Sequence, residues 1–414
     1  MTRPFLLALS MLVLAWPLSA ADWPQWRGPN RDGISQDNGL LPAWPPEGPK
    51  VRWKRTDIGT GYSSPAVVGG RVFIQTTAGN EEFALCLDEK SGDQVWKSPI
   101  GHVGKNRGPN YPGTRSSPTV VGDLVFCLAS AGELTCLGTD GTLKWQKDLV
   151  KDFGGKVGTD QQSWAYSESV LVDGDAVICT PGGKDAALVA LNKSTGTVLW
   201  KAPGEVGDAA EYASPMPLEV SGTKQYVTFL RKGVISVDAK TGQVLWRYGK
   251  TVDPGANILT PVVYRDKVFS AGSRSGGGLV QVKASDGKVE AREVYFDKSL
   301  GSSIGGAVLI DGHLYGATSG LGLYCVEFET GKLKWNEKAI GNASLCSAEG
   351  RIYARSHSSG DVFLVEANPA EYVQHGRLKQ AHRSKTPAWP HPVVANGGLY
   401  LRDMDVLICY DVKK

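Results

Sequence analysis

Short apolar runs with strict alternation, broken by polar turns, recur along this chain. The plainest is Val234-Ile235-Ser236-Val237, followed by Asp238-Ala239-Lys240-Thr241-Gly242 and then Gln243-Val244-Leu245-Trp246. Period-two alternation on both sides of a turn predicts two antiparallel strands, each with one buried face. Gly242 suits a turn whose backbone takes positive φ. The same phrase returns at 85–96, 134–145, 188–200 and 323–335, ending on Trp96, Trp145, Trp200 and Trp335. Two copies are degraded: one keeps Asp286-Gly287 but has Ala291 where Trp is expected, and the other, at 362–369, has neither Gly nor Trp. A last half-copy, 407–411, has no second strand after it.

Each phrase has an upstream half of the same kind. Ser64-Pro65-Ala66-Val67-Val68, Gly69-Gly70 and Arg71-Val72-Phe73-Ile74 read as strand, turn, strand. Counterparts begin at Ser117, Glu168, Ser214, Thr260, Gly306, Ala343 and His391. Units on the order of 45 residues that cannot cover their own faces must stack on neighbours. Eight units of four strands predict an all-β fold, an eight-bladed β-propeller over 51–414. The final blade lacks its fourth strand, and Val51-Arg52-Trp53-Lys54 is a spare one in phase with the Trp series. The expectation is that this N-terminal strand completes the last blade and closes the ring, removing an open edge.

Residues 1–21 read as a cleaved signal peptide, with Arg3, an apolar run from Phe5 to Trp16, and small residues at Ser19-Ala20-Ala21. No Cys precedes Cys86, so a lipid-attachment cysteine is not expected, and the reading is a periplasmic or secreted, monomeric protein without stable membrane insertion. Residues 22–50, with Trp23-Pro24-Gln25-Trp26-Arg27-Gly28-Pro29, are expected as an extension packed along the propeller, since Trp is usually largely buried. Lys plus Arg number 45 against 42 Asp plus Glu, which gives no support to nucleic-acid binding. The cysteines sit in strand runs and read as small hydrophobes, although Cys127 and Cys136 flank one turn and could face each other. No Cys/His cluster suggests zinc, and no metal site is expected.

The longest links follow Trp96 and Trp145. Links from an outermost strand to the next innermost one gather at one face, where propellers carry binding chemistry. Residues just before the innermost strands should line the channel mouth there: Tyr62, Arg115, Tyr166, Tyr212, Asn257, Ser302, Asn342 and His391. In a small-ligand site Arg115 would meet an anionic group, Trp164 and Tyr166 would stack, and Asn257 and His391 would hydrogen-bond.

The hairpin with Asp or Asn, Thr/Ser-Gly and a terminal Trp resembles the pyrroloquinoline-quinone-like (PQQ-like) propeller repeat over nearly the whole chain after residue 21. The resemblance implies that Trp53, Trp96, Trp145, Trp200, Trp246 and Trp335 dock between neighbouring blades. It leads to two functional branches. Quinoprotein dehydrogenases use the quinone with Ca²⁺, adjacent cysteines and a set of acids; this chain has no Cys-Cys pair and no evident acid set beyond Glu168 and Glu211 near Asn257. A hard cation needs six or more oxygens. The other branch, the propeller lipoprotein of outer-membrane protein assembly, is a protein-binding scaffold without quinone. The expected function is therefore an exported binding or scaffold module for a protein or small ligand, with a PQQ- and Ca²⁺-dependent dehydrogenase as the alternative.

Overall fold

Why these runs become strands is visible in their burial. In the run Arg71–Ala78 the six successive residues Val72 to Thr77 are all buried, because propeller sheets are covered on both faces by their neighbours. The computed structural model describes residues 21–106, 111, 113–285, 287–302 and 304–414. The signal-peptide segment 1–20 lies outside the described residues.

The strands form eight four-stranded antiparallel sheets, each built from consecutive strands except the last. In that sheet Lys50–Arg55 pairs with Val406–Asp411, beside Gly398–Asp403 and Val393–Ala395. The ring is closed as the sequence predicts. Helix is limited to one turn at Leu149–Phe153 and a 3-10 turn at Lys338–Ile340 among the described residues.

Three of the polar turns between third and fourth strands are Asx turns. Asp238 Oδ1 accepts from the backbone N–H groups of Lys240 and Thr241, and Asp88 and Asn192 do the same in their blades. The Gly that follows serves the next contact. A Cβ on Gly92 would lie 2.7 Å from the Trp53 ring, one on Gly141 2.8 Å from Trp96, one on Gly196 2.9 Å from Trp145, and one on Gly242 2.5 Å from Trp200. Each indole Nε1 donates to a carbonyl of the same neighbouring turn: Glu89, Thr139, Lys193 and Ala239. Trp335 donates to Asn368. The indole lies flat on a bare backbone, and only Gly permits that approach.

Trp246 departs from this pattern. It packs among Val280 and Val282 of the next blade, but its Nε1 donates to Gln225 Oε1 of its own sheet. The reason is the next hairpin, whose strands Gly276–Ser285 and Lys288–Asp297 run to ten residues each and carry Gly287 out into open space. The same lengthening corrects the reading of Ala291. In every other blade with a docking Trp, that Trp sits beside a one-residue bulge, as Trp96 does opposite Cys86. Here the bulge position opposite Leu279 belongs to Tyr295, whose ring covers Gly331 of the following blade.

The cysteines fit the same geometry. Cys86, Cys136, Cys325 and Cys409 stand directly opposite Trp96, Trp145, Trp335 and Trp53, where a small apolar residue leaves room for an indole. Cys127 faces Thr135, not Cys136, and all seven cysteines are buried thiols. Burial pushes the Cys127 and Cys136 thiols well up, Cys136 to about 12, so they are not poised as nucleophiles.

The segment 22–44 threads the ring. Trp23 exchanges backbone hydrogen bonds with Val67, and Pro24 accepts from Val120. The Arg27 guanidinium donates to Ala307 O, and that of Arg31 to Ser169 O and Val170 O. Ser35 and Gly33 bond to Ser347, Ser35 Oγ donates to Val394 O, and Leu41 donates to Val412 O. Carbonyls of innermost strands, or of the residue just before one, are thus capped by arm side chains across the channel.

Candidate functional site

The links from outermost to innermost strands lie on one face, and a cavity of about 330 Å³ opens there. Seven of the eight blades contribute to its wall, which places it around the ring axis: Tyr62 and Ser64, Arg115, Trp164 with Ser167 and Ser169, Tyr212 and Ser214, Ile258, Ile304, and Trp389 with Pro390 and His391. Tyr111 stands at the wall and Trp26 of the threading arm forms part of the lining.

A collar of hydroxyls explains why Ser or Thr begins so many innermost strands. Ser169 Oγ accepts from Ser117 N at 2.8 Å, Ser214 Oγ from Ser169 N at 2.9 Å, and Thr260 Oγ1 from Ser214 N at 3.2 Å. Ser64 Oγ accepts from His391 N at 2.9 Å across the closure. Four of the blade-to-blade seams are tied in this way at the cavity rim, and buried N–H groups that no ladder reaches are satisfied.

Above the collar the wall is aromatic. Trp164 and Tyr212 meet edge to face at 5.7 Å, Tyr111 and Trp389 at 4.5 Å, and Trp26 and His391 at 4.6 Å, while Tyr62 tilts against Trp389 at 5.1 Å. The Trp26 Nε1 donates to Thr260 Oγ1 at 3.1 Å, which fixes that ring.

Arg115 and His391 of the wall both face backbone carbonyls. Arg115 donates to Trp164 O at 2.9 Å, to Gly113 O at 3.4 Å and to Tyr111 O, so it latches the links of two blades together. Both His391 ring nitrogens face carbonyls, Ile304 O at 2.8 Å and Leu345 O at 3.3 Å. Burial first, and then the charge of Arg27, hold its pKa down to about 3, so the ring is neutral.

Of the sequence-predicted mouth residues, the structure brings Tyr62, Arg115, Trp164, Tyr212 and His391 together at this wall. Tyr166 is not among them: it is buried in the blade core and donates its hydroxyl to Pro181 O. Asn257 is fully buried, with Nδ2 donating to Leu230 O and Oδ1 accepting from Asp253 N, and its neighbour Ile258 reaches the cavity instead. Asn342 is exposed and outside the wall, its carbonyl accepting from His357 N. Ser302 is buried and donates to Gly306 O. The links shift by a residue or two between blades, and one position per blade cannot track that. Sequence reasoning passed over Trp389, although it lies two residues before His391-Pro392 just as Tyr62 and Tyr212 lie two before Ser64-Pro65 and Ser214-Pro215; in this blade the reading took His391 itself.

Acidic residues near the mouth serve the frame. Glu168 accepts from the Thr180 backbone N–H at 2.6 Å and from the Thr180 hydroxyl. Glu82 does the same for Ser130, and Glu211 accepts from Asn257 N and Arg231. Desolvation raises all three to about 7. None of them lines the cavity.

Pyrroloquinoline quinone is a tricarboxylate that the dehydrogenase branch pairs with Ca²⁺. Among the described residues the wall supplies no carboxylate or amide oxygen set for the cation, and the Arg115 guanidinium already spends three bonds on carbonyls. Among the described residues no group of three or more His, Cys, Asp or Glu is placed to hold a metal ion. The residues present do not fit that cofactor pair.

Comparison with known proteins bears on the fold and the family. Residues 80–337 match the family model described as outer membrane protein assembly factor BamB. An outer membrane protein assembly factor BamB of Burkholderia pseudomallei is 29% identical over 174 residues; the match spans 34% of this chain and 42% of that relative. Among solved structures, BamB from Moraxella catarrhalis superposes with a TM-score of 0.56 at 15% identity, covering 82% of this chain and 94% of that one. Quinohemoprotein alcohol dehydrogenase from Comamonas testosteroni superposes with a TM-score of 0.65 at 12% identity, covering 95% and 81%. At these identities the two structural likenesses establish the propeller alone. The family match, extending over more than half of the sequence, establishes more: the chain belongs to the family of outer membrane protein assembly factor BamB.

Proposed function

We propose that the protein is a non-catalytic binding propeller of the cell envelope, exported by the segment 1–21 and presenting its loop-rich face to a protein partner in an assembly role. The observation that carries this reading is the character of that face. Six aromatic rings surround an axial cavity whose wall holds no Asp, Glu or Lys among the described residues, and whose Arg115 and His391 face backbone carbonyls. Aromatic side chains are the residues that dominate binding energy in interfaces, because they bury large area at low entropic cost. A general acid or base must be free to reach a proton; Arg115 is tied to carbonyls, and the single N–H of neutral, buried His391 is taken by a backbone carbonyl. Membership of a family named for outer-membrane protein assembly supports the partner class. Among the described residues no helix is long and apolar enough to cross a membrane.

The experiment that tests the reading against its alternative is a titration of pyrroloquinoline quinone with Ca²⁺, followed by thermal melting and absorbance. The proposal predicts no saturable rise in melting temperature and an unshifted quinone spectrum. A saturable rise with a shifted spectrum would mean native-state cofactor binding and would overturn it.

A further inference from the structure

We infer that the axial cavity is also a small-molecule site, and that its ligand class is a planar aromatic ring carrying one carboxylate. This goes beyond the scaffold reading and does not rest on it. The volume, about 330 Å³, falls in the range of ligand pockets, and the wall is mainly apolar with a few placed polar groups.

The rings select a flat partner. Trp164 and Tyr212 on one side, and Trp389 with Tyr111 on the other, meet each other edge to face, which leaves ring faces turned away from their own pairs. Offset stacking on such faces contributes about 0.5–1.5 kcal/mol per pair beyond burial of area.

The charge selects the sign. An aromatic cage alone would suit a quaternary ammonium. Here Arg115 stands in the wall, no Asp or Glu lines the cavity, and no carboxylate forms an ion pair with Arg115 among the described residues. A cationic guest would meet that guanidinium with only Glu82, outside the wall and bonded to Ser130, to offset it. An anion would supply the missing countercharge. Three bonds from Arg115 to carbonyls leave its Nε–H and one further N–H without a partner among the described residues. Ser169 and Ser214 use their oxygens as acceptors from neighbouring backbone N–H groups, which leaves both O–H donors for ligand oxygens. One carboxylate matches this donor set; the tricarboxylate quinone with its cation does not.

The test is calorimetric titration of the purified mature protein with 2-naphthoate, 2-naphthalenemethanol, cyclohexanecarboxylate and 2-naphthylmethylammonium. The expected result is saturable one-to-one binding of 2-naphthoate, at least about tenfold tighter than each of the other three. Arg115→Gln should remove the preference for naphthoate over the neutral alcohol. Because Arg115 also latches two links, Trp389→Leu is the companion variant: it should weaken naphthoate at least about tenfold with the melting temperature retained. Equal binding of the alcohol and the carboxylate by the unaltered protein, or no saturation by naphthoate, would overturn the inference. So would undiminished naphthoate binding by folded Trp389→Leu.

Discussion

Trp44 of the threading arm stands on Gly376, in the blade whose own outermost strand carries no Trp. Gly376 lies opposite Leu364 beside a bulge, which is the position that Trp96 or Trp335 holds in other blades. A Cβ at residue 376 would fall 2.6 Å from the Trp44 Cβ, and the indole packs against Tyr353 at 5.7 Å between ring centres. The repeat's missing indole is supplied in trans along the same chain.

Trp44→Ala should therefore destabilise the protein like loss of a core aromatic, by about 3–5 kcal/mol. Trp44→Phe should cost less than half of that, since the buried Trp44 Nε1 has no hydrogen-bond partner. Gly376→Val should be destabilising alone and strongly non-additive with Trp44→Ala, because both disrupt one contact. Chemical denaturation of the four proteins checks all three statements.

Tyr295 over Gly331 gives a second prediction. Tyr295→Ala should destabilise by about 3 kcal/mol, whereas Ala291→Trp should not restore any of it. Gly331 sits at φ +71° with the Tyr295 ring 2.7 Å from where a Cβ would be, so Gly331→Ala should be costly too. Thermal melting of these variants separates the docking position from its look-alike four residues earlier.

The arm is a structural member, and Arg31 shows why. It is almost wholly buried and donates to Ser169 O and Val170 O. Arg31→Met would leave Ser169 O without this donor, while Val170 O keeps the Thr119 hydroxyl, at a cost of roughly 2–3 kcal/mol. Limited proteolysis should cut the variant within the arm before the blades, while the unaltered protein resists at the same protease dose.

The buried carboxyls set a pH dependence. Glu82, Glu168 and Glu211 are raised to about 7 from an ordinary 4.5, chiefly by desolvation. The folded chain then holds protons that the unfolded chain releases between pH 4.5 and 7, so these groups make stability fall as pH rises through that window. Buried His357 and His391, held down to about 3 from 6.5, act oppositely between pH 3 and 6.5. Of these five groups, only the carboxyls act between pH 6.5 and 7. Glu168→Gln should gain on the unaltered protein as pH rises from 4.5 to 7, by up to about 3 kcal/mol, and the gain should level off above that. Melting temperatures of both proteins from pH 4 to 8 provide the check.

What the sequence revealed and what it withheld have one physical cause. Blade number, strand order and closure by Trp53 are legible because alternation and turn chemistry are local, and the repeat multiplies the signal. Trp44 and Trp26 were not assignable, since an irregular arm has no period and its contacts are long-range. Tyr295 was hidden because lengthening the hairpin moved the bulge away from the expected count. At the cavity, Tyr62, Arg115, Tyr212 and His391 follow the rule that residues before innermost strands face the axis. Tyr166, Asn257 and Asn342 break it where links turn inward early or late.

The account's central claim is that the aromatic, loop-rich face is where a protein partner binds. Site-specific photocrosslinking from that face tests it most directly, with benzoylphenylalanine placed at residue 111 or 389 and, on the opposite face, at the turn residues 90 or 240. The account predicts discrete adducts with one and the same protein from 111 and 389 in the native envelope, and none from 90 or 240. Adducts confined to 90 or 240, or the absence of any adduct from 111 and 389, would contradict it.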